Sequence, residues 1–427
     1  MGIIGKTAKY FNQKTLRLLA YKNEYDLRPF LISIIILYFL IIYISSFFMS
    51  YHLFWRNYLG VPALSPGFAD LRGLLSGVES YREGYDPYLD NPHDPFGRKF
   101  NYPRIWLNLS VLGITQSLTN LVGIIFAFLF FILLLLIFNK INLGELVFYA
   151  LAIISPTVML SVERGNTDLV IFMLIVLGLL ILNSKKNSSF WGYFLLIIST
   201  ILKLFPIFAF ASVLREKKGV CIFTSIFALI IFSLYIYLSN DFFLISRNTP
   251  RSMGMSYGGL ITFDWINTII KRVLEFNIPR PTIIIIYGIF IFFIFLLSYV
   301  LAAKFGGITK DYEPSLHLDA YRTGSFIFIG TFIYGNNFDY RLIFLLIVLP
   351  QMTLWIKEQK EFSKTSKYAL ILLILTLYLS RLGPNYNLNI DEFINWTLLI
   401  YFIWTNLVIL PNWAKKIVFL GQVKVSV

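Results

Sequence analysis

The sequence predicts an all-α polytopic membrane protein with about ten to thirteen transmembrane helices. Of its 427 residues, 57% are hydrophobic and only 14% are charged, whereas soluble proteins average about 25% charged residues. Apolar runs of about 20 residues recur along the chain, and a helix of that length crosses the hydrocarbon core. The runs are too continuous for barrel strands, and backbone amides in lipid must be bonded within their own segment, so helices are expected.

The distribution of charge predicts the orientation in the membrane. Residues 1–28 precede the first apolar run and are basic, so we expect a cytoplasmic N-terminus. Two long polar segments, at 51–105 and 240–280, are then expected outside, and the net charge of +14 reflects topology rather than nucleic-acid binding.

The lone Cys221 excludes an internal disulfide. The chain contains no HExxH, CxxC, P-loop or GxGxxG pattern, and no cofactor is expected. Asp86, Asp90 and Asp94 recur every four residues, but the prolines between them favour a folded loop with Asx turns over a calcium site.

The first outer segment contains a predicted amphipathic helix at the membrane interface. Ser65-Pro66 is a favourable helix start, with a hydroxyl cap followed by proline. Phe68, Leu71, Leu75 and Val78 then share one face at helical spacing. Asp70 lies at the flank of that face, where its carboxylate can point into a cavity covered by the helix. The alternative is a solvated aspartate near a helix N-terminus, where the helix dipole favours it.

The turn between the third and fourth predicted helices carries Arg164, Asn166 and Asp168. Charged residues beside apolar spans are costly and usually face a cavity or a partner. An ordinary tight turn that caps the fourth helix is the alternative.

Two later positions also interrupt apolar sequence. Lys203 lies in a short apolar hairpin at 189–214, so its ammonium needs an anion, either a ligand or a protein carboxylate, or must lose its proton. Asn337, Asp339 and Arg341 follow the ninth predicted helix. Asp339 and Arg341 could alternatively pair with each other.

The order of these motifs resembles the GT-C superfamily of membrane glycosyltransferases, and within it glycosyltransferase family 87, which contains polyprenol-phosphate-mannose-dependent mannosyltransferases. The resemblance covers about residues 30–215. It differs from the family at Arg104, where Tyr-Pro-Pro is usual, and at 337–340, where the mannosyltransferases carry a histidine pair. The matching positions are Asp70, Gly84, Asp86, Pro87, Tyr88, Tyr102, Pro103, Gly165, Asn166, Asp168, Lys203 and Pro206.

The resemblance implies a function and roles for these residues. A hexose, mannose in the family named, would pass from a polyprenyl-phosphate sugar to a glycan or lipid acceptor on the non-cytoplasmic face, with inversion and without a metal. Asp70 would be the general base. The donor phosphate would be bound by Lys203, Arg341 and Arg164. The substrate would be positioned by Tyr102, Asn166, Asp168, Asn337 and Asp339.

The predicted organisation is a basic cytoplasmic N-terminus at 1–28, a GT-C-like catalytic module at 29–215 that includes the outer loop 51–105, and a C-terminal module at 216–427 that includes the outer loop 240–280. The predicted location is the bacterial plasma membrane. Two other functions remain open on sequence alone. One is a transporter or lipid flippase, which would place polar residues at mid-membrane depth. The other is an O-antigen polymerase or ligase, which would depend on paired arginines in an outer loop.

Overall fold

The structure, a computed structural model, describes residues 26–138, 140–184, 189–239, 241–250, 256–305, 312–335, 337–358, 362–379 and 390–419. Nearly all of the basic N-terminal segment that was predicted to be cytoplasmic therefore lies outside the described residues.

Helices account for almost all of the regular structure. In the first half these are α1 (Arg28–Ser45), α2 (Tyr51–Tyr58), α3 (Ala69–Arg82), α4 (Thr119–Ile137), α5 (Leu143–Ile153), α6 (Pro156–Arg164), α7 (Asp168–Leu182) and α8 (Ser189–Lys203). In the second half they are α9 (Lys218–Ser239), α10 (Asp241–Asn248), α11 (Gly259–Leu274), α12 (Arg280–Phe305), α13 (Leu316–Tyr334), α14 (Leu349–Lys357), α15 (Ser363–Leu379), α16 (Ile390–Val408) and α17 (Asn412–Val418). The 3-10 helices are Arg104–Leu112, Gln116–Leu118, Phe205–Arg215 and Asp339–Val348.

The predicted fold class, an all-α polytopic membrane protein, is confirmed. Among the described residues, five helices are long and apolar enough to cross a membrane, or up to seven if each bent pair counts as one span. The predicted ten to thirteen spans are not reached by this criterion. One reason is that three expected spans or half-spans are short apolar helices, namely α7, α8 and Phe205–Arg215.

One predicted span is broken for a reason that is visible in the sequence. The third predicted helix, about 144–161, consists of α5 and α6, which are bent by 50° relative to each other. Ser155 caps the second half, because its hydroxyl accepts a hydrogen bond from the Val158 amide, and Pro156 takes the first helical position. Proline there has no amide to donate, so the hydrogen-bond ladder of α5 cannot continue through it.

The predicted start of the interfacial helix at Ser65-Pro66 is wrong. The helix α3 begins at Ala69, because Phe68 has a left-handed backbone (φ 55°) and cannot continue a right-handed helix. The Phe68 amide donates instead to the Glu163 carbonyl at 3.0 Å, so a tertiary contact sets the helix boundary. The predicted apolar face is otherwise correct, since Leu71, Leu75 and Val78 are buried.

Polar helix ends collect at two opposite ends of the bundle. The ends of α7 and α8 meet where Lys203 Nζ lies 2.6 Å from Asp168 Oδ1. At the other end of α7, Asn183 donates to Asp319, the carboxylate of which also pairs with Arg215 at 2.7 Å. The end of the bundle that contains Asp168 and Lys203 is called the Asp168 end. The helix α3 and the second outer segment also pack there.

The Asp168 end also joins the two predicted modules. Two-residue strands β1 (Ser256–Tyr257) and β2 (Asn337–Phe338) pair in antiparallel fashion there. The Asn248 side chain at the end of α10 donates to the carbonyls of Tyr88 (3.0 Å) and Phe100 (2.9 Å). These bonds fix the first outer loop against the second. The module boundary at residues 215 and 216 stays a prediction.

A glycine is required where α6 ends. Gly165 has φ 57°, and a Cβ at this position would lie 3.1 Å from both Leu71 Cβ and Phe68 Cδ1. We therefore expect Gly165→Ala to lower the stability by about 1–3 kcal/mol and to displace α3, measured as a lower melting temperature in detergent. Gly288→Ala is the control, because a Cβ at this helical glycine meets nothing within 4 Å. Equal melting temperatures for both variants would contradict the prediction.

Candidate active site

A cavity of about 700 Å³ opens at the Asp168 end. Its walls come from segments that are far apart in the sequence. They include the start of α3, the end of α6, the first outer loop, residues 247–250 and the turn that contains β2. Charged and aromatic lining residues are Asp70, Asp94, Arg98, Lys99, Tyr102, Arg164, Arg247, Phe338 and Tyr340. Three residues predicted from the sequence, Asp70, Tyr102 and Arg164, are among them.

The Asp70 carboxylate faces this cavity with both oxygens engaged. Its Oδ2 accepts a hydrogen bond from Asn166 Nδ2 at 2.7 Å, and its Oδ1 accepts one from Arg98 Nη1 at 3.3 Å. Asp70 lies in the first turn of α3, where the unpaired backbone amides and the helix dipole favour a negative charge. Its side chain is 14% exposed, so the carboxylate is held in place and remains reachable from the cavity.

Asn166 connects Asp70 to the lysine of the apolar hairpin. Its side-chain Oδ1 accepts from Lys203 Nζ at 2.9 Å and from the Asp168 amide at 2.9 Å. The amide oxygen is therefore committed to these donors, and the NH₂ group must point toward Asp70. Asn166 is 1% exposed, so a tight polar turn determines how the Asp70 carboxylate is presented.

The predicted anion for Lys203 is a protein carboxylate. Lys203 Nζ lies 2.6 Å from Asp168 Oδ1 and donates to Thr167 Oγ1 at 2.7 Å. Arg341 Nε lies 3.5 Å from the other oxygen of Asp168, and Arg341 also donates to Asn337 Oδ1. Two predicted phosphate-binding cations thus share one fully buried aspartate. Lys203 and Arg341 are not part of the cavity lining.

Two tyrosines of the cavity wall lie beside this ion pair. The rings of Tyr102 and Tyr340 line the cavity, and the centroid of each lies 5.8 Å from Lys203 Nζ. The Tyr102 hydroxyl donates to the Asp70 carbonyl at 3.3 Å. Burial, with a smaller contribution from the Asp70 charge, raises the pKa of Tyr102 well above its ordinary value, so its hydroxyl stays a neutral donor. Asp339, a predicted positioning residue, is buried within electrostatic reach of Tyr257 and Glu392.

The sequence interpretation missed Arg98. Its guanidinium pairs with Asp94 Oδ2 at 3.0 Å and also reaches Asp70. Burial alone would lower the pKa of Arg98, but the bonds to Asp94 and the charge of Asp70 outweigh burial and raise it. The only signal in the sequence was the four-residue spacing of Asp94 and Arg98. Such a spacing predicts an ion pair within a helix, but these residues lie in a proline-rich loop.

A possible ion-binding group lies outside the cavity lining. Ligand atoms of Glu79, Glu83 and His93 are within 4.8 Å of one another. However, the group is partly exposed, and His93 already pairs with Glu83 at 2.7 Å. Exposed acidic groups of this kind are common without an ion, and Glu79, Glu83 and His93 do not line the cavity that Asp70 faces.

Comparison with known proteins supports the resemblance inferred from the motifs. The model of glycosyltransferase family 87 matches residues 93–248, a segment that contains Arg98, Tyr102, Arg164, the Asn166 turn and Lys203. No curated protein and no solved structure gives a significant match. The match to the family model confirms the resemblance to glycosyltransferase family 87 that the motifs predict, and it indicates a membrane glycosyltransferase.

Proposed function

We propose that this membrane glycosyltransferase moves a hexose, with mannose as the first candidate, from a polyprenyl-phosphate sugar to a glycan or lipid acceptor. The reaction would take place on the non-cytoplasmic face of a bacterial plasma membrane. The observation that carries the proposal is the Asp70 carboxylate, which faces a cavity of about 700 Å³ whose walls also present Arg98, Lys99, Arg164 and Arg247. A base beside several cations suits the attack of a hydroxyl on a sugar with a phosphate leaving group.

In the proposed reaction, the acceptor hydroxyl attacks the anomeric carbon from the side opposite the phosphate. The new C–O bond forms while the bond from the anomeric carbon to the phosphate oxygen breaks, which inverts the configuration. The acceptor proton passes to Asp70, and a positioned base of this kind contributes about 10²–10⁴-fold to the rate. Asn166 keeps the carboxylate aimed at the cavity.

The leaving phosphate gains one negative charge, so cations near it lower the barrier. Arg164 is the predicted phosphate-binding residue that lines the cavity. Its Nη2 is held by the Pro62 carbonyl at 2.7 Å, and its Nε lies 3.4 Å from Glu163. We propose that Arg164 binds the phosphate together with Arg98 and Arg247, because arginine can grip phosphate with two parallel bonds.

Lys203 and Arg341 have a different place in the proposal. Both already pair with Asp168, whose single negative charge leaves one net positive charge in the group. We propose that this charge acts on the phosphate through its electric field, and that Lys203 acts on Asp70 through Asn166.

Asp168 positions the two cations, and Tyr102 lines the wall against which the donor sugar lies. Asn337 and Asp339 are buried outside the lining, next in sequence to the wall residues Phe338 and Tyr340, and support them.

A defined assay tests this function. Purified protein in lipid is incubated with polyprenyl-phosphate hexoses and an acceptor glycolipid extract, and free polyprenyl phosphate and the anomeric configuration of the product are measured. We expect release of polyprenyl phosphate and an inverted product. Transfer from nucleotide sugars but not from lipid donors, or movement of the lipid donor across the bilayer without cleavage, would overturn the proposal.

Metal removal gives a second test of the proposed chemistry. A catalytic metal would stabilise the transition state by several kcal/mol, and its removal would slow the reaction strongly. Because Arg98, Arg164 and Arg247 supply the positive charge in the proposed site, EDTA should leave the transfer rate within about twofold of the untreated rate. The measurement compares the initial rates of metal-depleted protein with and without added Mg²⁺ or Mn²⁺. Loss of activity that either ion restores would contradict this prediction.

A further inference from the structure

Arg98 contacts two carboxylates unequally. Its backbone amide donates to Asp94 Oδ2 at 2.7 Å, and its guanidinium adds bonds to Asp94 of 3.0 and 3.3 Å. Asp94 is fully buried, whereas the Arg98 side chain is 34% exposed and lines the cavity. Compared with these three bonds to Asp94, Arg98 makes one bond of 3.3 Å to the Asp70 carboxylate.

The helix α3 leaves room for this arrangement. A Cβ on Gly73 would lie 2.8 Å from Arg98 Nη2, so the missing side chain allows the guanidinium to lie against the first turn of α3. The same nitrogen donates to the Ala69 carbonyl. One end of the guanidinium is thus fixed at Asp94, and the end that reaches Asp70 is held more weakly and faces the cavity.

We propose that Arg98 is shared between the base and the donor, so that the donor phosphate withdraws Arg98 from Asp70 and thereby releases the base. This inference rests on the proposed function, since it requires a phosphate in the cavity. Asp94 keeps the guanidinium within reach of both positions, and Asp70 Oδ1 becomes available to the acceptor hydroxyl when the donor is bound.

The exchange is electrostatically balanced. Without donor, Arg98 occupies one oxygen of Asp70. In general, a cation in contact with a carboxylate favours its charged form. A phosphodiester oxygen that reaches Arg98 Nη1 at an ordinary hydrogen-bond distance forms a charge-assisted bond, which is stronger than the 3.3 Å contact to Asp70. During transfer the acceptor proton moves to Asp70, the anomeric C–O bond to the phosphate breaks, and Arg98 faces a phosphate that carries one further negative charge.

Other charged or titratable groups also act on Asp70 but do not face both partners in the same way. They come from the first outer loop, the end of α6, the end of α8 and the 3-10 helix at 339–348, and they are Tyr102, Glu163, Lys203 and Tyr340. Lys203 is bound to Asp168, and Glu163 to Arg164. Among the residues that the structure describes, Arg98 is the cation that both contacts the Asp70 carboxylate and lines the cavity.

The pH dependence of transfer tests the proposal, because kcat/KM reports groups in the free enzyme and kcat those in the donor complex. In the wild type, the acidic fall of kcat/KM should occur at a lower pH than the acidic fall of kcat. The reason is that Arg98 contacts Asp70 only before the donor binds. In Arg98→Gln, the acidic fall of kcat/KM should move up to that of kcat, while the fall of kcat stays nearly unchanged. The donor KM should rise about 10- to 100-fold, as expected for a lost hydrogen bond to a charged group.

Controls separate this inference from the proposed function. Arg82→Gln removes a cation from the exposed end of α3 and should leave both profiles unchanged. Arg98→Lys keeps the charge but not the fork that binds Asp94 through Nε while Nη1 reaches the cavity. It should therefore keep the wild-type acidic fall of kcat/KM while the donor KM rises. If Arg98→Gln raised the pH of the acidic fall equally for kcat and for kcat/KM, Arg98 would be a fixed partner of Asp70. That result would overturn the inference. If no lipid-phosphate sugar is a substrate of the wild type, the proposed function itself fails.

Discussion

Asp70→Asn should abolish nearly all sugar transfer, lowering kcat by about 10²–10⁴-fold, while the protein folds and binds donor normally. The amide has the same shape as the carboxylate and can still accept from Asn166 or Arg98, so the geometry of the turn should survive. It cannot take a proton from the acceptor hydroxyl at ordinary pH. The measurement is single-turnover release of polyprenyl phosphate, with donor binding and melting temperature determined on the same preparation.

The control for this prediction lies in the same outer segment. Asp90→Asn makes the same chemical change at an exposed position outside the cavity lining and should keep wild-type turnover. A wild-type rate in Asp70→Asn would remove Asp70 from the mechanism. A loss of rate accompanied by an equal loss of donor affinity would instead assign Asp70 to substrate binding.

Much of the candidate site could be predicted because its residues lie at helix ends. Apolar runs give the direction of each helix, and a polar residue at the end of a run must lie at one surface of the bundle. On this basis, Asp70, Asn166, Asp168 and Lys203 are expected on one side of the membrane. In the structure, a single side chain, that of Asn166, bonds to both Asp70 and Lys203.

The partners of these residues could not be predicted, because they depend on loop conformation and on exact distances. Arg98 reaches Asp70 through a loop that Asn248 fixes from another segment, and no periodic pattern encodes such a contact. The capping rule also gave the wrong helix start at Ser65-Pro66. The hydrogen bond from the Phe68 amide to the Glu163 carbonyl sets the boundary of α3 instead. Arg341 likewise pairs with Asp168, which is distant in sequence, and this contact was not among those expected for it.

Removing Asp168 should have the largest effect on stability. Asp168→Asn leaves both Lys203 and Arg341 without their shared carboxylate in a site where Asp168 is fully buried. Breaking a buried ion pair from one side costs about 3–5 kcal/mol, because the remaining charge stays desolvated. Lys203→Met should cost less, since Arg341 still faces the aspartate that remains. The measurement is the melting temperature of each purified variant in the same detergent.

The relative stabilities of Asp168→Asn and Lys203→Met test whether Arg341 shares Asp168. Lys357→Met is the control, because Lys357 also binds a carboxylate, Glu145, at 2.6 Å, but its side chain is 30% exposed. A more exposed pair contributes about 1 kcal/mol or less, so this variant should lie closest to the wild type. If Lys203→Met were more destabilising than Asp168→Asn, Arg341 would not share Asp168. The fixed orientation of Asn166, and with it that of Asp70, would then depend on Lys203 and the Asp168 backbone amide, without a contribution from Arg341.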